Sequence, residues 1–447
     1  MKVLVVGNGG REHAIAWCLA QSNHVNEVIC VPGNGGTARE EKCRNINPKE
    51  NPSTENLSLV EAAVSIAANE KVDFAVIGPE EPLADGIADS FWNAGIPVVG
   101  PKAKGAALEA SKDLSKIFMK KYGVACADSE TFTEKQAALA YIRKKGAPIV
   151  IKADGLAAGK GVVVAKTLED AEKAVEDLMS GASVGDAGKK LVIEEYLQGV
   201  EISVLAAVSV TEESAANGKA RIKAFLPARD HKRLLDGAKG PNTGGMGAVC
   251  PPPDISEDVM PAFEKNILRP TLEGLISEKM DYRGFIFFGL MITKDGPKAL
   301  EYNVRLGDPE TQAVLPMMDF DFAELCKAIM DGNLDSFDMK WKGGFQVAPV
   351  AVSGGYPLKY AKGKIIIIRD DIIDGAGAKV FVAGAISDRR SAEHTLITSG
   401  GRVLACSAHG DTFDDAWTKA YEALGGVIFD GMFYRKDIGL PGAAESN

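Results

Sequence analysis

Short apolar runs alternate with amphipathic stretches over the first hundred residues. The apolar runs have the length of buried strands and lie at 3–6, 27–31, 74–77 and 98–99. Helical patterns lie between them at 14–21 and 59–69. This β-α-β-α-β alternation predicts an α/β fold with a parallel sheet, and ligands bind such sheets beyond the carboxyl ends of the strands.

A second pattern, at 147–165, predicts a β-hairpin around a glycine-rich loop, with β-branched residues in both strands. The loop glycines are Gly155, Gly159 and Gly161. Lys152 and Lys160 add positive charge on either side. The spacing does not match a P-loop, which needs a longer gap before Gly-Lys and then Ser or Thr. The pattern favours a flexible lid over phosphates, and a plain surface hairpin is the alternative.

Glycine-rich segments follow the predicted N-terminal strands. Residues 7–12 resemble a dinucleotide-binding fingerprint, but Glu12 replaces its last glycine and Val31 stands where an acid would bind ribose. The segment suits a small phosphate at a helix N-terminus, assisted by Arg11. Glycines that only permit tight turns are the alternative.

The middle of the chain predicts a linker, a lid and a long loop. Residues 103–123 predict a helical linker whose lysines face solvent. Residues 124–194 predict a small α/β lid that contains the hairpin and a helix opened by Thr167. Residues 226–250 predict a long loop whose cations, glycines, Asn and Thr favour ligand contact, with disorder as the alternative.

Two strands at 285–292 and 298–304 predict a hairpin through an Asp-Gly turn. Glu301 and Asn303 lie two residues apart, so their side chains share one face of the second strand. A carboxylate and an amide oxygen side by side suit Mg²⁺, and a solvent-facing polar strand is the alternative. Arg305 follows on the same face if the strand continues.

After residue 341 the pattern changes to short strands and a helix at 412–424 opened by Thr412. This pattern predicts a small C-terminal α/β domain without an evident catalytic cluster. We expect it to close the site and to pack on the N-terminal domain.

Composition narrows the class of protein. The chain has 447 residues, which predicts about two to four domains. Its net charge of −10 argues against a general binder of nucleic acid or anionic membranes. Seven dispersed cysteines without a C-x-x-C pair predict reduced thiols in the cytoplasm, and five dispersed histidines give no zinc spacing. No apolar run reaches the ~18 residues of a membrane span.

Seven motifs, in order along the chain, closely resemble those of the phosphoribosylamine–glycine ligase family of ATP-grasp enzymes. They are GNGGREH at 7–13, PGN at 32–34, GPE at 78–80, VIKADGLAAGKG at 150–161, DHKR at 230–233, GPNTGGMGA at 240–248 and GDPETQ at 307–312. The similarity runs from residue 1 to about 439. It implies an N-terminal parallel-sheet domain (1–103), a lid (124–194), a central ATP-grasp domain (104–123 and 195–340) and a C-terminal α/β domain (341–447).

The resemblance implies an ATP-dependent ligation of glycine to 5-phosphoribosylamine in purine biosynthesis. The products would be glycinamide ribonucleotide, ADP and phosphate, with glycyl phosphate as intermediate. The implied cofactors are ATP and Mg²⁺, with Mn²⁺ as a possible substitute. The implied partners are these small molecules, without nucleic acid or membrane, and the implied state is a cytoplasmic monomer or weak dimer.

The resemblance also assigns roles to individual residues. The implied nucleotide contacts are Lys112, Lys152, Gly155, Gly159, Lys160, Gly161, Glu194, Glu195, Tyr196, Leu197 and Glu201. The implied contacts to phosphoribosylamine and glycine are Asn8, Gly9, Gly10, Arg11, Gly33, Asn34, Gly78, Pro79, Glu80, Arg233, Asn242, Thr243, Gly244, Gly245 and Asp308. The implied metal ligands are Glu301 and Asn303, and the implied catalytic residues are Arg305, Lys152 and Asp230.

Three other functions compete with this one. A nicotinamide-dependent oxidoreductase would use the N-terminal sheet, but Glu12 and Val31 oppose it. A non-catalytic nucleotide-binding regulator could lose Arg305 or the metal pair, and all three residues are present. An ATP-grasp ligase with another amine or acid is the nearest alternative. The phosphate-type N-terminal loops and the segment 240–247 disfavour that alternative, through the resemblance.

Overall fold

The computed structural model describes residues 1–156, 161–181, 184–388 and 395–443. Its N-terminal part is a parallel five-stranded sheet with flanking helices, as predicted. The elements are β1 (Lys2–Gly7), α1 (Gly10–Gln21), β2 (Glu27–Pro32), β3 (Cys43–Asn45), α2 (Leu59–Glu70), β4 (Phe74–Ile77), α3 (Glu80–Ala84), α4 (Ile87–Asn93) and β5 (Val98–Val99). The strand order β3-β2-β1-β4-β5 brings the loops after β1, β2 and β4 to one edge.

Helix α1 begins at Gly10, earlier than the predicted start at residue 14. The carboxylate of Glu12 accepts a hydrogen bond from the Gly9 amide at 2.6 Å and caps the first turn. The apolar positions of the helix begin only at Ala14, so the hydrophobic pattern missed the turn that this cap adds.

The linker consists of two helices, α5 (Ala103–Ala110) and α6 (Lys112–Tyr122). Ser111 separates them, because its hydroxyl accepts a hydrogen bond from the Leu114 amide at 3.1 Å and caps α6. The prediction that the linker lysines face solvent is wrong for Lys116, which is 4% exposed.

The lid is a four-stranded antiparallel sheet in the order β6-β9-β7-β8, with two helices on it. Its elements are β6 (Ser129–Phe132), α7 (Lys135–Lys145), β7 (Ile149–Ala153), β8 (Val162–Ala165), α8 (Leu168–Met179) and β9 (Leu191–Glu195). The predicted hairpin is confirmed, because Lys152 pairs with Val162 across β7 and β8. The predicted cap is confirmed as well, since the Thr167 hydroxyl accepts a hydrogen bond from the Asp170 amide at 3.1 Å. Residues 157–160 lie outside the described residues.

The central part contributes the long strands of an antiparallel sheet. Its elements are β10 (Val200–Val210), α9 (Glu212–Ala216), β11 (Arg221–Asp230), β12 (Arg233–Leu235), β13 (Lys239–Asn242), β14 (Gly247–Cys250), α10 (Val259–Phe263), α11 (Arg269–Ser277), β15 (Tyr282–Thr293), β16 (Gly296–Asn303), α12 (Thr311–Val314) and α13 (Phe322–Met330). The predicted pairing of β15 with β16 is confirmed.

The prediction of a long loop at 226–250 is wrong. β11 extends to Asp230 and pairs with β14, and β12 and β13 form a hairpin between them. The segment carries Pro, Gly and charged residues that mask the strand pattern. Its strands form because β14 also pairs with β17 of the C-terminal part, a contact that local sequence does not encode.

The C-terminal part contains β17 (Phe345–Val352), β18 (Ile365–Ile368), α14 (Asp370–Gly375), β19 (Ala378–Val382), β20 (Ala385–Ser387), β21 (Leu396–Thr398), β22 (Arg402–Gly410), α15 (Phe413–Gly425) and β23 (Val427–Ile428). Three of these strands continue the central sheet, whose order is β16-β15-β10-β11-β14-β17-β22-β19. Four others form a second sheet in the order β20-β21-β18-β23. The predicted cap on α15 is confirmed by a 3.2 Å hydrogen bond from the Asp415 amide to the Thr412 hydroxyl.

The C-terminal part packs on the N-terminal domain, as predicted. The Val382 amide donates a 2.7 Å hydrogen bond to Nδ1 of His13, and the Val382 carbonyl accepts one from Nδ2 of Asn34 at 2.8 Å. Trp17 and Phe381 meet edge to face, with ring centroids 5.6 Å apart. The exact domain boundaries stay a prediction.

Among the described residues, no helix has the length and apolar character needed to cross a membrane.

Candidate active site

A cavity of about 520 Å³ opens between the lid, the central sheet and the N-terminal domain. Most of the predicted nucleotide and metal residues line it. The predicted residues in its wall are Glu80, Lys112, Lys152, Gly155, Gly161, Glu194, Asp230, Thr243, Gly244, Glu301, Asn303, Arg305 and Asp308. Other side chains in the wall are Glu109, Ser115, Lys116, Lys232, Phe287, Leu300 and Glu310.

A buried cluster of two lysines and one glutamate forms the lid side of the cavity. Nζ of Lys152 lies 2.9 Å from Oε1 of Glu194, and Nζ of Lys116 lies 3.0 Å from Oε2. Burial disfavours the charge on Lys152, but Glu194 and Glu301 outweigh it and raise the pKa of this lysine. Burial lowers the pKa of Lys116. The cluster therefore holds two amines and one counterion, a set suited to an additional anion.

Lys116 could have been found from the sequence. It lies four residues after Lys112 on α6, so the two lysines share one face of the helix, and both line the cavity. Its burial with Glu194 explains why the expectation of a solvated helix face was wrong.

Lys112 connects the linker to the lid. Its Nζ donates a 2.9 Å hydrogen bond to the Gly155 carbonyl, at the start of the glycine-rich loop. The Asp154 carboxylate accepts hydrogen bonds from the Ser111 hydroxyl at 3.0 Å and the Asp113 amide at 3.1 Å. The N-terminus of α6 is thus tied to the lid strand β7. Gly159 and Lys160, also predicted to contact the nucleotide, lie outside the described residues.

The nucleotide contacts predicted at 194–197 lie at the end of β9 and just after it. Leu197 is buried in a small apolar cluster with Ala127 and Met291, against which Leu300 of the cavity wall packs. The Glu195 carboxylate instead accepts hydrogen bonds from the Asp128 amide at 3.0 Å and Lys298 at 3.2 Å. Glu195, Leu197 and the intervening Tyr196 do not line the cavity.

Glu301 and Asn303 lie two residues apart on β16, and both line the cavity. Burial opposes ionisation of Glu301, but Lys232, Lys152 and Lys112 outweigh it and lower its pKa. An ionised carboxylate beside an amide oxygen is a fitting donor pair for Mg²⁺, which takes its other ligands from water and phosphate. Within the described ranges no group of three or more His, Cys, Asp or Glu could hold a metal ion.

Arg305 reaches across the cavity to three acceptors. Its guanidinium lies 3.0 Å from Oε1 of Glu109, 3.2 Å from Oε2 of Glu80 and 3.2 Å from Oδ1 of Asn303. Glu109 also accepts the Val304 amide at 2.7 Å, which fixes the end of β16. Sequence reasoning missed Glu109, because nothing local links a glutamate of α5 to a strand nearly two hundred residues later.

The N-terminal motif forms an internal charge network. Arg11 lies 2.6 Å from Glu12 and donates a 3.1 Å hydrogen bond to the Leu306 carbonyl. A Cβ at Gly78 would lie 2.2 Å from Oε1 of Glu12, so this glycine is required by the packing of Glu12. The predicted residues Asn8, Gly9, Gly10, Arg11, Gly33, Gly78 and Pro79 lie outside the wall of the cavity.

Asn34 ties the N-terminal loops together. Its side chain donates to the carbonyls of Asn8 at 2.9 Å, Gly9 at 3.2 Å and Val382 at 2.8 Å, and accepts from the amides of Gly36 and Thr37. The residue is buried, with 5% exposure. Asn34, which was predicted to contact substrate, therefore holds the N-terminal loops together and links them to the C-terminal part.

Segment 240–247 reaches the cavity through Thr243 and Gly244 only. Asn242 is exposed on β13, and Arg233 donates a 2.8 Å hydrogen bond to the Gly240 carbonyl. Gly245 packs behind Asp230. Glu201, predicted to contact the nucleotide, lies outside the wall and pairs with Lys232.

Arg402 of β22 contacts two wall residues, Asp308 and Gly244, from the C-terminal side. It lies 3.0 Å from the Asp308 carboxylate, donates a 2.9 Å hydrogen bond to the Asp308 carbonyl and bonds the Gly244 carbonyl. Through this contact the C-terminal part reaches two residues of the cavity wall with an arginine and not with a catalytic cluster. No local motif surrounds Arg402, so the sequence held no signal for it.

The lid and the central sheet around this lysine-lined cavity define an ATP-grasp fold. The biotin carboxylase domain of Hydrogenobacter thermophilus 2-oxoglutarate carboxylase, solved with MgADP, ADP and bicarbonate, has a TM-score of 0.71 at 14% identity, over 97% of this chain and 91% of its own. A biotin carboxylase from Campylobacter jejuni has a TM-score of 0.68 at 15% identity, over 98% and 94%.

The chain belongs to the phosphoribosylglycinamide synthetase family. Its N, ATP-grasp (A) and C domains match residues 1–109, 110–311 and 346–441. Phosphoribosylamine–glycine ligases from Clostridium acetobutylicum and Vibrio cholerae are 49% and 42% identical, over 98% of this chain and 99% and 98% of their own. The crystal structure of that ligase from Thermotoga maritima has a TM-score of 0.78 at 34% identity, covering 98% and 100%.

Proposed function

We propose that this chain joins glycine to 5-phosphoribosylamine with ATP, giving glycinamide ribonucleotide, ADP and phosphate. One observation carries the proposal. The lysines Lys112 and Lys152 and the oxygen ligands Glu301 and Asn303 line one cavity, which also reaches Glu80 of the N-terminal domain. The groups proposed to bind the ATP phosphates and the side proposed to bind phosphoribosylamine therefore open into the same cavity. The names of the full-length relatives support this choice of substrates.

The nucleotide would bind between the lid and the central sheet. Lys112 and Lys152 would neutralise its phosphates, and Lys116 would add a third cation at the Glu194 cluster. The apolar side chain of Leu300, in the cavity wall, suits one face of an adenine ring. Gly155 and Gly161 would let the lid backbone approach the phosphates closely.

Glu301 and Asn303 would hold Mg²⁺ between the protein and the phosphates. The bound ion would neutralise charge on the transferring phosphoryl group. Mg²⁺ in the complex of a fold relative with MgADP supports this role. We propose Mn²⁺ as a substitute, because carboxylate and amide oxygens suit both ions. The state of a monomer or weak dimer and the cytoplasmic location stay predictions.

Phosphoribosylamine would bind on the N-terminal side, next to Glu80, where the loops after β1, β2 and β4 meet. Arg305 lies between this side and the metal ligands. It is placed to stabilise the charge that moves from the γ-phosphate to the carboxylate of glycine.

The chemistry needs no covalent bond to the protein. The glycine carboxylate attacks the γ-phosphate, ADP leaves, and the amine of phosphoribosylamine then attacks the acyl carbon of glycyl phosphate and expels phosphate. The chain would position the reactants and neutralise charge, with Lys152 and Arg305 in contact with the transferring group. Closure of the lid would keep water from the acyl phosphate.

The test is ADP release with ATP, Mg²⁺ and glycine, with and without phosphoribosylamine formed in situ from ribose 5-phosphate and ammonia. We expect sustained ADP release only with both substrates, together with glycinamide ribonucleotide detected by mass spectrometry. The proposal would be contradicted if glycine and phosphoribosylamine together gave no sustained ADP release. It would also be contradicted if another amino acid replaced glycine without loss of ADP release.

A further inference from the structure

Two side chains of the C-terminal part hold one residue of the cavity wall, Gly244. The hydroxyl of Tyr356 accepts a hydrogen bond from the Gly244 amide at 2.8 Å, and the guanidinium of Arg402 donates one to the Gly244 carbonyl. Both polar groups of this backbone residue are therefore bound by side chains 112 and 158 residues further along the chain. We call Tyr356 and Arg402 the C-terminal clamp.

Arg402 also binds a second residue of the wall, Asp308. Its guanidinium lies 3.0 Å from Oδ2 of the Asp308 carboxylate and donates a 2.9 Å hydrogen bond to the Asp308 carbonyl. Burial opposes ionisation of Asp308, but Arg402 and Arg11 outweigh it and lower the pKa of this carboxyl. One planar guanidinium thus joins the segment that carries Gly244 to the segment that carries Asp308.

The two residues of the clamp are fixed to each other by the loops that carry them. Ser353 donates its amide to the Gly401 carbonyl at 2.8 Å and its hydroxyl to the Gly400 carbonyl at 2.9 Å. The Ser353 carbonyl in turn accepts the Tyr356 amide at 3.0 Å. The Tyr356 ring packs over Gly401, where a Cβ would lie 2.3 Å from Cδ2 of the ring. The clamp is therefore already formed before any substrate binds.

The part of the wall that the clamp holds lies next to the N-terminal motif. A Cβ at Gly9 would lie 3.4 Å from Oδ2 of Asp308, and one at Gly245 would lie 2.4 Å from Cδ of Pro309. The loop after β1, the Asp308 segment and the segment after β13 are therefore packed together. In the proposed function, this side of the cavity receives phosphoribosylamine.

We propose that Tyr356 and Arg402 are positioning residues for phosphoribosylamine. By fixing Gly244 and Asp308 in the cavity wall, they preform the surface that this substrate contacts. The inference rests on the proposed function and adds to it a contribution of the C-terminal part. Neither side chain needs to touch a reacting atom, because a wall that must be ordered on binding lowers the affinity by itself. The lysines of the nucleotide side bind groups of the lid instead.

The test measures kcat and the KM for phosphoribosylamine, glycine and ATP in variants of the clamp. Tyr356→Phe removes one hydrogen-bond acceptor and keeps the ring over Gly401, so the KM for phosphoribosylamine should rise about fivefold. Arg402→Gln removes the charge and the shared donors, and this KM should rise about 30-fold. The KM for ATP and kcat should change less than about twofold, as expected when only the binding of the other substrate is weakened. Tyr360→Phe, in the ring beside Tyr356, and Arg369→Gln, at an exposed arginine, are the matched controls.

Two further variants separate positioning from charge. Arg402→Lys keeps the positive charge, but a single ammonium does not reproduce the planar fork that reaches both Gly244 and Asp308. We therefore expect its KM for phosphoribosylamine to stay about tenfold above the wild-type value. In the double variant Tyr356→Phe/Arg402→Gln the two effects should not multiply, and the KM should rise about 30-fold, because both side chains act through Gly244.

Three results would overturn the proposal. The first is a wild-type KM for phosphoribosylamine in Tyr356→Phe, a change of one hydroxyl group that decides the question even where the arginine variants do not fold. The second is a rise confined to the KM for ATP or for glycine. The third is full recovery of the wild-type KM by Arg402→Lys, since charge alone would then suffice. Failure of the wild-type enzyme to release ADP with glycine and phosphoribosylamine would instead remove the proposed function.

Discussion

The two sides of the cavity use charge in different ways. On the nucleotide side, Lys152 and Lys116 share the carboxylate of Glu194, and Lys112 binds the Gly155 carbonyl. On the N-terminal side, Arg11 is bound by Glu12 and approaches Glu80. Cations are therefore in excess on the nucleotide side, whereas the arginine of the N-terminal motif already has its acidic partner.

This difference is in keeping with the roles proposed for the two motifs. In the proposal, the phosphates of ATP balance the cations of the nucleotide side. The N-terminal side is a preassembled network that shapes a surface around Glu80 and joins the N-terminal and C-terminal parts through Asn34 and His13. Substitutions should consequently affect catalysis on the first side, and substrate affinity and stability on the second.

The largest effect is expected at Lys152. Lys152→Met removes one of the two cations bound to Glu194, the one proposed to contact the phosphates, and leaves Glu194 paired with Lys116. We expect kcat to fall about 1000-fold, because a charge placed for the transition state is lost. Lys121→Met, at an exposed lysine on the same linker helix, is the control. A loss below tenfold would show that the cluster does not act on the phosphates.

The next effect is expected at Glu301. Glu301→Gln keeps the shape of the ligand and removes its charge, so kcat should fall about 100-fold and the Mg²⁺ concentration for half-maximal rate should rise about tenfold. A titration of rate against Mg²⁺ measures both. Asp295→Asn, in the turn of the same hairpin, should behave as the wild type. An unchanged Mg²⁺ requirement would remove Glu301 from the metal site.

A smaller effect, mainly on stability, is expected at Asn34. Asn34→Ala leaves the Asn8 and Val382 carbonyls without their donor, which should cost about 2 kcal/mol of unfolding free energy and lower the Tm. The KM for phosphoribosylamine should rise about tenfold as the loops loosen, with the KM for ATP unchanged. Exposed Asn217→Ala serves as the control. If Asn34→Ala changed the KM for ATP as much as the KM for phosphoribosylamine, the two sides of the cavity would not act independently.

The smallest effect is expected from the titration of His13, which should make stability and the KM for phosphoribosylamine depend on pH. Burial lowers the pKa of His13 below its ordinary value, and Nδ1 of the neutral ring accepts the Val382 amide. The unfolded chain therefore binds the proton more readily. The neutral His13 side chain therefore stabilises the folded state above about pH 6.5. This stabilisation is lost as the pH falls through the folded pKa, by at most about 1.4 kcal/mol per pH unit.

Acidification from pH 7 to 5.5 should raise the KM for phosphoribosylamine more in the wild-type enzyme than in His13→Gln. The glutamine side chain has an acceptor and does not titrate. The same pH slope in both proteins would show that His13 does not control this side.

Elements with local periodicity were predictable from the sequence. The parallel N-terminal sheet, the lid hairpin and the hairpin that carries Glu301 and Asn303 follow from runs of apolar residues and turn signals within short windows. The clustering of Lys152 with the metal pair followed from the resemblance, and the shared cavity is in keeping with it. The roles of these residues stay predictions.

Features that depend on distant contacts were not predictable. The strands within 226–250 exist because β14 pairs with β17 across about a hundred residues of chain. Glu109 lines the cavity from α5, and Arg402 of β22 pairs with the wall residue Asp308. No local pattern indicates either contact. Arg11 has the sequence context of a phosphate ligand, but the carboxylate of the adjacent Glu12 already pairs with it.

The central claim is that this cavity transfers the γ-phosphoryl group of ATP to the carboxylate of glycine. Glycine labelled with ¹⁸O in its carboxylate tests it most directly. During turnover with phosphoribosylamine, one labelled oxygen should appear in each inorganic phosphate, because the carboxylate oxygen that attacks the γ-phosphate leaves with it. Unlabelled phosphate, formed together with glycinamide ribonucleotide, would contradict the account.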